Sequence, residues 1–222
     1  MKLKSILIAA VVTATITLPV LSQAAVTLDF EGASGFASIN NFYSGGTDST
    51  GIAGSNNFGV SFADSLQALK NDSLGGGVNG AYFSNAPTPG TVMFAPSALD
   101  VLTTPAFMNI AAGTFSLSFF YSSDAAAVVN VYSGLNGSGL LGSIKLAANA
   151  SLGCTDTAFC NFQSVSWVPT STAIKSVDFS ANAGAVAFDN ITVSPVPEPT
   201  SMALMLAGMA GLAVVARRRK TK

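Results

Sequence analysis

The sequence predicts an all-β protein, an antiparallel β-sandwich of jelly-roll type, and three observations carry that expectation. Short runs alternate apolar and polar residues with a period of two. Clusters of Gly, Asn, Ser and Asp separate these runs and supply turn chemistry. No helical period persists beyond about two turns, so the helices that an α/β fold places between its strands are missing. The chain has 222 residues and 15 Phe, many of them at alternating positions. That much apolar surface, once buried, distinguishes a Gly/Asn/Ser-rich folded chain from a disordered one.

Taken in order, Val26 to Glu31 opens the body, with Val26, Leu28 and Phe30 on one face and Asp29 and Glu31 on the other. Gly32 to Asn57 is rich in Gly, Ser and Asn, with Phe36 to Tyr43 its most ordered part. Phe58 to Ala63 aligns Phe58, Val60 and Phe62. Further strands are expected at Ala81 to Ser84, Thr91 to Ala95 and Ala106 to Ile110. The clearest is Thr114 to Tyr121, where Phe115, Leu117, Phe119 and Tyr121 alternate with Ser116 and Ser118. Ala127 to Tyr132, Leu140 to Leu146, Phe162 to Val168, Ile174 to Phe179 and Ala185 to Val193 complete a set of about ten short strands, the spacing of a sandwich. In the last strand Val186 and Phe188 share one parity, whereas Ile191 and Val193 share the other. Both pairs face inward only if the chain slips by one residue at Asp189-Asn190, as a β-bulge does.

The two ends do not belong to this body. Residues 1–24 read as a removable signal peptide: Lys2 and Lys4, an apolar stretch from Ile6 to Val20, then Ser22 and Ala24 at the small-residue positions of a signal peptidase site. Cleavage after Ala24 or Ala25 leaves a single domain, residues 25–195, of a size that supports a full core. Residues 196–222 hold Pro197-Glu198-Pro199, an uncharged apolar run from Met202 to Ala216, and the basic stop Arg217, Arg218, Arg219 and Lys220. As one helix, Thr200 to Ala216 spans about 25 Å, near the lower limit for crossing a bilayer. The positive-inside rule keeps its basic end cytoplasmic. Pro197 and Pro199 hold Glu198 extended in front of it.

Removing both ends changes the charge. Of ten basic residues only Lys70, Lys145 and Lys175 stay in the body, against ten of the eleven acidic residues. An acidic body argues against nucleic acid as a partner, since phosphates require clustered Lys and Arg. It suits divalent cations and neutral or cation-bridged polysaccharide. Cys154 and Cys160, with five residues between them in an exported chain, read as a local disulfide rather than a metal or redox pair. Catalysis has little support and the chain is not expected to be an enzyme. There is no histidine, which removes the usual general base, the Ser-His-Asp triad and His-ligated zinc. Gly75 to Gly80 matches G-x-G-x-x-G, but a strand rather than a helix follows it. Asp48, Asp64, Asp72 and Asp100 leave no selected pair for a glycosidase.

Two sites are expected in the body. Glu31, Asp189 and Asp29, brought together if the first and last strands are neighbours, form a candidate Ca²⁺ site with backbone carbonyls completing the shell. Against it stands a simpler role for Asp189 and Asn190 in local turn hydrogen bonds. Phe42, Tyr43, Asp48 and Asn57 form a candidate glycan-binding face, against a simpler role as core and turn residues.

The order of parts at the C-terminus, from Pro197-Glu198-Pro199 through Lys220, resembles the PEP-CTERM sorting signal of Gram-negative bacteria. The resemblance implies processing by an exosortase, a transient stay in the inner membrane and delivery to the cell surface or beyond. Asn41 to Gly51, Asn57 to Phe62, the Cys154/Cys160 loop and Phe188-Asp189-Asn190-Ile191 resemble stretches of other PEP-CTERM exported proteins of unknown function. Asp29-Phe30-Glu31-Gly32 and Phe188-Asp189-Asn190-Ile191 are also similar to the ends of carbohydrate-binding jelly-roll modules, some of which hold calcium there. The expected role is structural or adhesive, in exopolysaccharide or biofilm, with a carbohydrate-binding module as the alternative and a carboxylate-based glycan hydrolase third.

Overall fold

The computed structural model describes residues 24–54, 56–71, 82–96, 105–154, 156–169, 171–195 and 209. The signal peptide apart from Ala24, Pro197, Glu198 and Pro199, the basic stop, the Gly75 to Gly80 run, Asp72 and Asp100 lie outside them. Among the described residues no helix is long and apolar enough to cross a membrane.

The body is all-β and antiparallel. Its strands are β1 (Val26–Leu28), β2 (Val60–Phe62), β3 (Gln67–Lys70), β4 (Thr91–Phe94), β5 (Phe107–Ser123), β6 (Ala127–Tyr132), β7 (Leu140–Leu146), β8 (Gln163–Trp167), β9 (Ile174–Asp178) and β10 (Val186–Pro195). A 3₁₀ turn at Ser180–Asn182 precedes β10. The hydrogen-bonded order is β3-β4-β10-β5-β9-β6-β7, with β1 on β10 and both β2 and β8 on β5.

β5 organises the body. Ala106 to Ile110 and Thr114 to Tyr121, expected as two strands, form one strand of 17 residues. Its first part pairs with β2 and β9, its second with β8 and β10. The register on β9 shifts between Asn109 and Thr114. Gly113 sits in that interval at φ +80°, where a Cβ would meet Ile174 O at 3.2 Å. A side chain there would strain the backbone and crowd β9, so glycine is required at the corner.

From this corner the two parts of β5 run away on facing layers. β8, β10, β4, β3 and β1 belong to one, and β2, β9, β6 and β7 to the other. Between them lie Leu117 and Phe119 of β5, Val186, Phe188, Ile191 and Val193 of β10, Val129 and Val131 of β6, and Ile144 of β7, all buried. Phe119, Phe179 and Phe188 join the layers with centroids 4.8–6.3 Å apart in edge-to-face geometry, the preferred arrangement for buried rings.

β3 was not expected from the sequence; its Gln67-Ala68-Leu69-Lys70 shows no clean alternation, and both Ala68 and Leu69 are buried. Leu69, Phe83, Val92 and Ala187 form a second small core on the other face of that layer, with Phe159 and Phe162 packed against it. Both faces there are covered, so a period of two disappears. The stretch expected as a strand around Phe83 is instead a single parallel bridge, Phe83 to Phe159. The disulfide Cys154–Cys160 is formed and closes the loop that carries Phe159.

Candidate metal centre

β10 contains the slip that its parity requires. Asp189 pairs with Phe120 and Thr192 with Ser118, so the register shifts between them. Asn190 takes a left-handed φ of +48°, and Phe188 and Ile191 both remain buried. The bulge leaves the Asp189 side chain fully buried. β1 pairs antiparallel with the far part of the same strand, Leu28 opposite Ile191, which delivers Asp29 and Glu31 to the bulge. Between them Phe30 is also left-handed, at φ +62°, and buried.

Asp189 accepts from Thr88 N–H at 2.8 Å through Oδ2 and from Asn190 N–H at 2.7 Å through Oδ1. Thr88 Oγ1–H donates to Asn190 Oδ1 at 2.8 Å, which ties the 85–90 loop to the bulge. Glu31 Oε1 accepts from Thr91 N–H at 2.9 Å. The other oxygen lies over Gly90, where an added Cβ would stand 2.7 Å from Oε2. Asp29 Oδ1 accepts from Glu31 N–H at 3.2 Å and, at 3.4 Å, from the Tyr43 hydroxyl. That hydroxyl accepts in turn from Phe30 N–H at 2.6 Å. Asp29 and Glu31 are half-buried, so the cluster opens outward from Asp189.

The electrostatics follow from this crowding. Burial above all, then the charges of Glu31 and Asp29, raise the Asp189 carboxyl while its two backbone donors pull it down, and the net places it at about 7. Burial, then the Asp29 charge, raise the Tyr43 hydroxyl as well. A buried carboxylate beside two others is costly without a cation, and three carboxylates close to Gly90 are a hard-oxygen donor set. Thr91 Oγ1, on the residue that binds Glu31, is buried without a partner. The set fits calcium by chemistry. It is not a tight cage as it stands: among the described residues only Cys154, Asp156 and Cys160 bring three ligand atoms within 4.8 Å of one another. The two sulfurs there are spent in the disulfide. Lys70 on β3 stands opposite Thr91, the residue whose N–H donates to Glu31.

The structure does not assemble the glycan face. Phe42 and Tyr43 are buried, at 4% and 5% exposure; the two rings pack edge-to-face, and Tyr43 also meets Phe30 edge-to-face and Phe62 at a tilt. Their rings are core, and no face of either is available to a sugar. Asp48 is buried at 3% and accepts from Ser34 N–H, Thr50 N–H, Thr50 Oγ1–H and Ile52 N–H. Asn57 is exposed and accepts from Gly59 N–H. Aromatic rings between turn residues give no alternation from which inward and outward can be told.

Thr88, Gly90 and Thr91 were missed by sequence reasoning. The signal was local: Pro87-Thr88-Pro89-Gly90 is a tight, proline-fixed loop whose few amide N–H groups must find acceptors.

Residues 195–220 match the family model described as the PEP-CTERM protein-sorting motif, so the chain carries that motif from the last residue of β10 onward. No curated protein matches the chain. Among solved structures, a family 6 carbohydrate-binding module is similar at 12% identity and a TM-score of 0.33, covering 60% of this chain and 95% of that one. A carbohydrate-binding module from Cellvibrio mixtus lichenase 5A, in complex with cellotriose, is similar at 12% and 0.33, covering 59% and 97%. A glycoside hydrolase family 43 arabinoxylan arabinofuranohydrolase from Bacillus subtilis is similar at 12% and 0.37, covering 68% and 31%. At these scores the likeness transfers no property to this chain.

Proposed function

We propose that the chain is the precursor of an exported surface or extracellular-matrix protein. Signal peptidase removes residues 1–24. An exosortase acts at Pro197-Glu198-Pro199 while the apolar run Met202 to Ala216 holds the chain in the inner membrane and the basic stop keeps its end inside. The body delivered is an acidic, non-catalytic β-sandwich of jelly-roll type with a structural or adhesive role in exopolysaccharide or biofilm. The observation that carries this reading is the sorting motif at residues 195–220, which begins at the residue where β10 ends. The folded body and the address label share no residue beyond Pro195.

Calcium at Asp189, Glu31 and Asp29 fits the same role. It would neutralise the buried carboxylate and pin β1 to the bulge of β10. A glycan-binding role for the body, the alternative, requires a surface other than Phe42 and Tyr43.

Replacement of Pro197, Glu198 and Pro199 by alanine tests the sorting step in cells that make an exosortase. The expected result is an uncut precursor retained in the membrane fraction. Release of a body of normal size at the normal rate would refute it.

A further inference from the structure

Both ends of the folded body emerge at the corner of β5. β1 begins at Val26, opposite Val193, and β10 ends at Pro195, opposite Thr114. β8 ends there too, with Trp167 opposite Leu117, and β9 starts there, with Ile174 opposite Thr114. This end is apolar at its surface. Phe115 is 44% and Val168 67% exposed. Leu141, Trp167, Val168, Pro169 and Thr172 line an open cavity of about 300 Å³. The Trp167 ring lies against Gly142, where a Cβ would stand 3.2 Å from Cζ2. Lys175 is exposed beside the corner. The carboxylates at the two ends of β5 and in the bulge of β10 lie away from it. Asp124 follows Ser123 and Asp178 pairs with Phe107, at the two ends of β5 farthest from the corner, and Asp189 sits four residues back along β10 from Val193.

The chain itself indicates what this end faces. Residues 196–201 alone separate Pro195 from the apolar run that starts at Met202. Six residues reach at most about 20 Å when fully extended. An inserted run therefore holds the corner, and not the acidic far end, within reach of the headgroup layer, which is roughly 6 Å deep on each side of the hydrocarbon. Indole rings favour that layer, and an exposed lysine suits anionic headgroups.

We infer that the corner end of the body is a bilayer-contacting face, with Phe115, Leu141, Trp167, Val168 and Pro169 resting in the interfacial layer of a phospholipid membrane while the C-terminal run holds the chain. This rests on the membrane stay in the proposed function, and one experiment separates the two. Trp167 is the only tryptophan in the chain, so its emission reports this face alone. The full chain is reconstituted in phosphatidylcholine/phosphatidylglycerol vesicles whose acyl chains carry bromine. Two single-tryptophan reference chains carry Trp167→Phe with either Met205→Trp, in the apolar run, or Leu152→Trp. Leu152 is 58% exposed in the loop whose Ala150 N–H binds Ser123 O, at the far end of β5.

The expected result is a blue shift and loss of most of the emission for Trp167 and for the Met205→Trp chain, with little loss for the Leu152→Trp chain. Quenching of the Met205→Trp chain with Trp167 unquenched would overturn the contact and leave the membrane stay standing. A blue-shifted but unquenched Trp167 would overturn it too, by showing that protein, not lipid, covers the face. An unquenched Met205→Trp chain would remove the membrane stay and this inference together.

Discussion

Asp48 and Asp189 are both nearly closed to water, at 3% and 0% exposure, and folding moves their acidities in opposite directions. Burial alone would raise both. At Asp48 four hydrogen bonds from Ser34, Thr50 and Ile52 outweigh it and hold the carboxyl at about 2. At Asp189 burial meets only two donors, from Thr88 and Asn190, and Glu31 and Asp29 add their charges, so the carboxyl rises to about 7. The difference is one of completion. Asp48 is a finished fastener for its loop, its lone pairs answered by the chain itself. Asp189 is an acid whose two donors offset only part of its burial and of the repulsion from Glu31 and Asp29.

The largest expected effect is on the pH dependence of stability. A raised folded pKa favours the fold below the unfolded value near 4, and that contribution is lost as pH rises through about 7. The shift at Asp189 is worth about 4 kcal/mol. With no histidine in the chain, urea denaturation in chelator between pH 5 and 8 should show stability falling with pH. Asp189→Asn should flatten that segment. A wild-type profile already flat would mean that Lys70 or another group compensates the charge. Asp48 has the opposite sign: its contribution is present above pH 4 and lost as pH falls toward 2.

Asp48→Ala comes next. It strands four donors and should cost about 3 kcal/mol at neutral pH, while leaving the slope between pH 5 and 8 in place. Loss of that slope in Asp48→Ala would show the two carboxylates to be coupled. Calcium sharpens the contrast further. At a hundredfold excess over its dissociation constant it should add about 2.7 kcal/mol at pH 8, in wild type and in Asp48→Ala, and nothing in Asp189→Asn. No heat and no melting shift at millimolar calcium would remove the metal from the proposal. Smallest is the disulfide: replacing Cys154 and Cys160 by serine opens a short loop and should cost about 2 kcal/mol at most, with the pH slope and the calcium response intact.

The bulge in β10 was legible because parity is a one-dimensional signal. Val186, Phe188, Ile191 and Val193 cannot all face inward without a slip, and all four are buried. The strands with one covered face were legible for the same reason. β3 was not, because the small core around Leu69 and Phe83 covers its second face. Nor was the fate of Phe42 and Tyr43: Tyr43 turns inward onto Phe30 and Phe62, which arrive from other parts of the chain, and Phe42 packs on Tyr43. Of the candidate metal centre, the carboxylates could be named from strand ends. Thr88 could not, because it lies 101 residues from Asp189 in sequence, and only the tertiary structure closes that interval.

The place of β10 has a mechanical consequence. It is no edge: β5 runs along one side, and β1 and β4 along the other. Tension applied at Pro195 by a held tail, against a body restrained elsewhere, runs parallel to β10 and loads these antiparallel bonds together in shear. Tension applied at Val26 also runs along its own strand, but β1 has three residues and pairs with β10 alone among the named strands, against ten residues and three partners for β10. The C-terminal attachment is therefore the stronger handle of the two, and the tail sits on it.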